Sequence, residues 1–117
     1  MAFSMRLPSF EKAIISAEKL RDYVLSPAHP VGRFKAAFFE RLGYDRDDWE
    51  RLDRDLREQI VVCEAEEIET TTFGTKYRTV GDLRGPSGRA ARIVAIWIVR
   101  VGESVPQLVT LFPGGAS

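Results

Sequence analysis

The chain holds one cysteine and one histidine in 117 residues, and those two scarcities exclude more chemistry than any motif asserts. A single thiol, Cys63, cannot close an intramolecular disulfide and fits a reducing cytoplasm. One imidazole and one thiol make a poor set of nitrogen and sulfur ligands, so neither a metal nor another cofactor is expected. No segment approaches the roughly 18–20 apolar residues of a membrane span, and Met1–Arg6 lead into no apolar run of the kind a secretory signal carries. A cytoplasmic protein with no membrane partner is therefore expected. The phosphate-binding loop, the dinucleotide glycine fingerprint and the paired-cysteine zinc site are all missing. Cys63 follows an apolar run with no histidine near it, which argues against a nucleophilic thiol. Net charge is lacking too, with 17 Lys/Arg against 17 Asp/Glu.

That neutrality hides a segregation. Residues 1–43 carry seven basic side chains against four acidic, residues 44–69 four against eleven, and residues 70–117 six against two. Either the middle is a solvated acidic helix beside ordinary sheet edges, or the flanking parts present positive potential to an anion. With 44% hydrophobic and 29% charged residues the composition is that of a globular domain. One domain over 1–113 is expected, with 114–117 as a flexible tail.

Ser16 reads as the N-cap of a short helix through Val24, with Ile15 and Leu20 at hydrophobic-staple spacing. Pro27 breaks that helix. Pro30 suits the first position of a second helix, making His29 its N-cap. Val31, Phe34, Phe38 and Leu42 repeat at helical spacing up to Gly43. A third helix starts near Asp45 and buries Trp49, Leu52 and Leu56, leaving Arg51, Asp53, Arg54, Asp55 and Arg57 largely wet. Ile60-Val61-Val62-Cys63 opens a first strand, continued as polar extended chain through Thr72. Thr75–Leu83, Arg92–Arg100 and Gln107–Phe112 read as three more, with Gly85-Pro86-Ser87-Gly88 as a turn. The order predicts an α+β fold: two or three N-terminal helices packed on a C-terminal four-stranded antiparallel meander sheet.

Two places invite chemistry. At the second helix, His29 as N-cap meets the positive dipole end, which favours neutral imidazole and attracts phosphate. Arg33 and Lys35 stand close by. Lys35 falls between Leu42 and Phe39 on the helical wheel, so its ammonium either snorkels out or meets an anion. A loop histidine without a role is the competing reading of His29. On the sheet, a two-residue turn at Pro86-Ser87 would set Tyr77 opposite Ile96 and Thr79 opposite Val94 on one face. The other face would then pair Lys76 with Trp97 and Arg78 with Ala95, offering cations for phosphate and an indole for a base. The alternative is that Trp97 packs a second hydrophobic layer under Lys76. A one-residue slip would destroy the pairing.

Leu7-Pro8, Lys19-Leu20-Arg21-Asp22-Tyr23, His29-Pro30-Val31-Gly32-Arg33, Lys35-Ala36-Ala37-Phe38-Phe39, Gly74-Thr75-Lys76-Tyr77, Gly85-Pro86-Ser87-Gly88-Arg89, Trp97-Ile98 and Val109-Thr110 together resemble a family of short uncharacterised bacterial proteins. More distantly the layout is similar to the barnase–EndoU–colicin–RelE superfamily of ribonuclease toxins, which set helices ahead of a four-stranded antiparallel sheet and cut RNA without metal. That resemblance implies a small endoribonuclease of a toxin–antitoxin or polymorphic-toxin system, with tRNA or mRNA as substrate and a cognate antitoxin or immunity protein as partner. It implies catalytic roles for His29, Arg33, Lys35 and Thr110 and substrate binding by Lys76 and Trp97, to which the cationic sheet face adds Arg78. The chain departs from the pattern at Phe34, where a small polar residue is usual, and at Leu111-Phe112-Pro113, which replaces an Ala-Tyr-Pro ending. The rival expectation is a non-catalytic protein-binding module, such as an immunity protein, antitoxin or adaptor, which the zero net charge favours. A small hydrolase acting on a metabolite ranks third.

Overall fold

Four strands that pair only with their sequence neighbours, each turned back by a short loop, make up the second half of the chain. In the computed structural model, which describes residues 5–26 and 33–114, they are β1 (Ala65–Thr71), β2 (Gly74–Arg84), β3 (Ala90–Arg100) and β4 (Gln107–Pro113). All pairs are antiparallel and the order is β1-β2-β3-β4. The helices precede them: a π-wound helix at Lys19–Val24, α1 (Arg33–Arg41) and α2 (Trp49–Gln59), with short 3-10 turns at Phe10–Lys12 and Arg46–Asp48. The predicted α+β meander is the observed fold.

Each helix contributes its apolar stripe to one face of the sheet. Leu20, Val24, Phe39, Leu52 and Leu56 join Tyr77, Leu83, Ile93, Ala95, Trp97, Leu108 and Leu111 in one buried cluster. The first helix starts where Ser16 was expected to cap it, with the Lys19 N–H donating to Ser16 Oγ at 3.4 Å. Its last turn widens because the Leu25 N–H reaches back to the Leu20 carbonyl at 2.8 Å. α1 ends at Gly43, whose φ of 99° suits a residue without Cβ. Asp45 caps the 3-10 turn that leads into α2, accepting the Asp47 N–H at 3.0 Å.

Three expectations are corrected. Ile60–Cys63 is the turn after α2, not a strand: Ile60 lies four residues beyond Leu56 and extends the same buried stripe, so packing overrides the β-branched preference. Asp55 is buried rather than wet, because the Tyr44 hydroxyl and Arg51 reach its carboxylate at 2.7 and 3.2 Å. The β2–β3 register is one residue off the expected one: Tyr77 faces Trp97, Thr79 faces Ala95, Lys76 faces Ile98 and Arg78 faces Ile96. The turn has three residues, Pro86, Ser87 and Gly88, closed by the Gly85 N–H on Arg89 O, with Gly88 left-handed at φ 88°. The extra residue exchanges the two faces of β3.

Trp97 therefore points into the core. It is fully buried, and its Nε1 donates to the buried Thr79 hydroxyl at 3.0 Å. No face of the indole is left for a base, so its expected role in substrate binding is withdrawn.

Two features without a sequence signal complete the domain. Residues 13–15 run along the outer edge of β4, with Ile14 N–H on Pro106 O at 2.8 Å and Leu108 N–H on Ile14 O at 2.9 Å. The β2–β3 turn docks on the end of α1, where Ser87 N–H meets Leu42 O at 3.0 Å. A Cβ on Gly85 would lie 2.1 Å from that carbonyl. Gly85→Ala is expected to cost about 1–3 kcal/mol through overpacking, read as a lower denaturant midpoint at constant slope. Gly114, placed in the tail by sequence, still donates its N–H to Arg92 O at 2.7 Å. No helix among the described residues is long and apolar enough to cross a membrane.

Candidate phosphate-binding cleft

The π-wound helix and α1 both lean toward the β4 edge of the sheet, and β4 breaks its ladder there. Leu108 pairs with Trp97 and Thr110 with Ile96, which leaves Val109 as the extra residue of a β-bulge. Bulges re-aim side chains and backbone groups next to functional sites. This one collects two lysines. Lys19 Nζ donates to Val109 O at 2.8 Å, and Lys35 Nζ donates to Thr110 Oγ1 at 2.8 Å.

Tyr23 completes the group. Its hydroxyl lies 3.4 Å from Lys35 Nζ, which also sits 4.8 Å from the ring centroid, within cation–π range. The helical winding explains the set: Leu20 and Val24 go into the core, while Lys19 and Tyr23, also four apart, face β4. A cleft of about 630 Å³ opens here, lined by Ser16, Glu18, Lys19, Asp22, Tyr23, Val109 and Thr110.

The two ammonium groups meet two carboxylates at the cleft: Glu18, which forms no ion pair among the described residues, and Asp22, which is engaged elsewhere. Both ammonium groups rest on neutral oxygens, and neither forms an ion pair among the described residues. Standard bond lengths keep them within roughly 11 Å of each other, because their acceptors belong to adjacent residues. Asp22 does not neutralise them. Arg21 grips its carboxylate with two bonds of 3.0 Å, and Arg46 adds a third at 3.1 Å. The hydrogen bonds from Arg21 and then Arg46 hold the Asp22 carboxyl down to about 2. A carboxyl lowered in the folded state keeps its stabilising charge above the ordinary carboxylate range and loses it as pH falls through the lowered value. The Arg21–Asp22–Arg46 clamp is thus expected to stay closed from neutral pH through pH 4 and to open only near pH 2. A carboxyl-carbon NMR titration of Asp22 with a midpoint near 4 would contradict this.

The expected site residues separate into three groups. Lys35 and Thr110 meet directly. Lys35 neither snorkels away nor pairs with a carboxylate; its half-buried ammonium is held by hydroxyls. His29 lies outside the described residues, as does the Pro30 helix start, and Arg33 enters only through its backbone in α1. Lys76 and Arg78, on β2, stand apart from Lys35 and Thr110, turned toward Glu69 at 3.8 Å and Glu66 at 2.7 Å on β1. Arg78, Ile96 and Thr110 share one row across the strands, so Arg78 is roughly 10 Å from the cleft, two strand spacings away. Lys19 and Tyr23 were missed. Both stand in the Lys19–Tyr23 segment that carries the family resemblance, where neither is given a role.

A family model described as a domain of unknown function, DUF6883, matches residues 6–115. The chain belongs to that family. No curated protein and no solved structure matches it. The span matched to DUF6883 takes in every element of the cleft, from Ser16 to Thr110. Elsewhere in this DUF6883 chain, Cys63 is an inert thiol: Sγ donates to Gln59 O at 3.1 Å, and burial followed by the charge of Asp82 pushes its pKa up. Among the described residues, no three His, Cys, Asp or Glu side chains converge in a way that could hold a metal ion.

Proposed function

We propose that this DUF6883 protein is a small metal-independent endoribonuclease of the toxin type, acting on cytoplasmic tRNA or mRNA and held in check by a cognate antitoxin or immunity protein. The observation that carries the reading is the pair of lysines on one β-bulge, each resting on a neutral oxygen beside an open cleft. Two like charges fixed that close lower their energy by taking up an anion, and a phosphodiester is an anion of the right size and geometry. The order of helices and meander sheet agrees with the ribonuclease-toxin superfamily that the sequence resembles, which is support by analogy of architecture.

The reaction needs only groups of this kind. The ribose 2′-oxygen bonds to phosphorus, the P–O5′ bond breaks, and a 2′,3′-cyclic phosphate and a 5′-hydroxyl result. A base takes the 2′-hydroxyl proton and an acid returns one to O5′; His29 is assigned one of these two roles, base or acid. Lys35 stabilises the charge that builds on the non-bridging oxygens, with Tyr23 and Thr110 fixing its ammonium and Arg33 adding charge at the start of α1. Lys19 holds a neighbouring phosphate. Incubation of the purified protein with total RNA tests the proposal: cleavage to cyclic-phosphate ends, unchanged by EDTA, is expected. Intact RNA together with normal growth on induction would refute it.

A second reading, a protein-binding module without chemistry, draws on the burial of Trp97, which removes the expected platform for a base. Expression that is harmless, together with a stable protein partner, would favour it.

A further inference from the structure

The sheet face turned away from the helices carries an apolar column. Val94, Ile96 and Ile98 follow one another along β3, and Val80 and Phe112 flank Val94 on β2 and β4. All five are half-buried, yet none belongs to the core cluster or to the hydrophobics packed on it. Contiguous apolar surface of this kind on a small domain marks an interaction site.

The charges around the column say what fits. Lys76 and Arg78 are engaged by Glu69 and Glu66. Arg92 and Arg100, on the same face of β3 at either end of the column, are exposed and form no ion pair among the described residues; Asp82, the cross-strand neighbour of Arg92, and Glu64 and Glu67, which line one surface hollow with Arg92 and Val80, make no ion pair with it. Eight residues of strand put the two arginines roughly 27 Å apart. An α-helix that long has roughly 18 residues.

We propose that this face docks an amphipathic helix of a partner protein, with an aliphatic stripe along β3 and carboxylates near both ends to meet Arg92 and Arg100. A free sheet face is commonly covered by a helix layer. A second copy of this chain does not supply that helix: its acidic helix, α2, has 11 residues, and the Leu52–Leu56 stripe is already buried. Nucleic acid fits less well, since stacking platforms are aromatic and Phe112 is the only aromatic residue of the column.

The test uses the full chain and an 18-residue synthetic helix with a Leu/Ile stripe and glutamates at both ends, followed by methyl NMR. Shifts confined to Val80, Val94, Ile96 and Ile98 are expected. Ile96→Asp should weaken binding at least tenfold. Because that variant sits mid-strand, the surface pair Arg92→Glu with Arg100→Glu provides an independent check. It should lose the acidic helix and gain affinity for a version ending in lysines. Equal binding of the acidic and lysine-ended helices, no shift with either, or shifts of these methyls by an RNA oligonucleotide alone would overturn the proposal. The ribonuclease reading rests on Lys19 and Lys35, which none of these variants replaces, and its failure is read separately, as intact RNA.

Discussion

Replacing Lys35 by alanine is expected to lower RNA cleavage by about 10²–10³-fold, the usual consequence of removing one charge-stabilising donor from a reaction centre. The loss should fall on kcat, because the ammonium meets charge that builds up only as the phosphorane forms. The fold should survive. Lys35 is half-buried, its contacts are hydroxyls, and Thr110 and Tyr23 border the open cleft where water can replace the ammonium. Lys19→Ala should behave differently, raising KM more than it lowers kcat, since its ammonium is assigned to a phosphate that does not react. Single-turnover rates on one RNA substrate, with circular dichroism as the check on folding, separate the two. Wild-type rates in Lys35→Ala would remove Lys35 from the mechanism.

Asp55→Ala is expected to have the largest effect on stability, about 2–3 kcal/mol, or about 10 °C in Tm for a domain of this size. Asp55 is 4% exposed and anchors Tyr44, itself buried, at 2.7 Å. Burial first, and then this carboxylate, push the Tyr44 phenol far up, so it stays a donor at any working pH. Without Asp55 the hydroxyl keeps only the Arg84 carbonyl at 3.4 Å. Arg51 and Arg54 limit the cost, because both are partly exposed and rehydrate. Asp53→Ala, which breaks the more exposed Asp53–Arg57 pair on the same helix, should cost less than about 1 kcal/mol. Urea denaturation of the two variants side by side tests the difference, and equal midpoints would contradict it.

The fold class was legible because its signals are local. Leu52 and Leu56 recur at helical period, the β-branched run of β3 reads as a strand, and Gly43 and the Gly85–Gly88 turn mark ends. What failed depended on contacts distant in sequence. Ile60 and Val61 carry strand propensity but extend the stripe of α2. The β2–β3 register turned on whether the loop held two residues or three, and that single residue decided whether Trp97 faced solvent or core. At the cleft, Lys35 was conspicuous as a cation on an apolar helical face, and its partner Thr110, 75 residues away, came from the resemblance. The bulge at Val109 leaves no mark in composition, and so Lys19 went unnoticed.

All of this depends on Lys35 and Lys19 at the β4 bulge holding adjacent phosphates of one strand. Titration of ¹⁵N-labelled protein with a 2′-deoxy trinucleotide, which has two such phosphates and lacks the attacking hydroxyl, tests it most directly. Amide shifts gathered at Tyr23, Val109 and Thr110 are expected, and they should vanish in the Lys19→Ala, Lys35→Ala double variant. No shift at these residues, or the same shifts in the double variant, would contradict it.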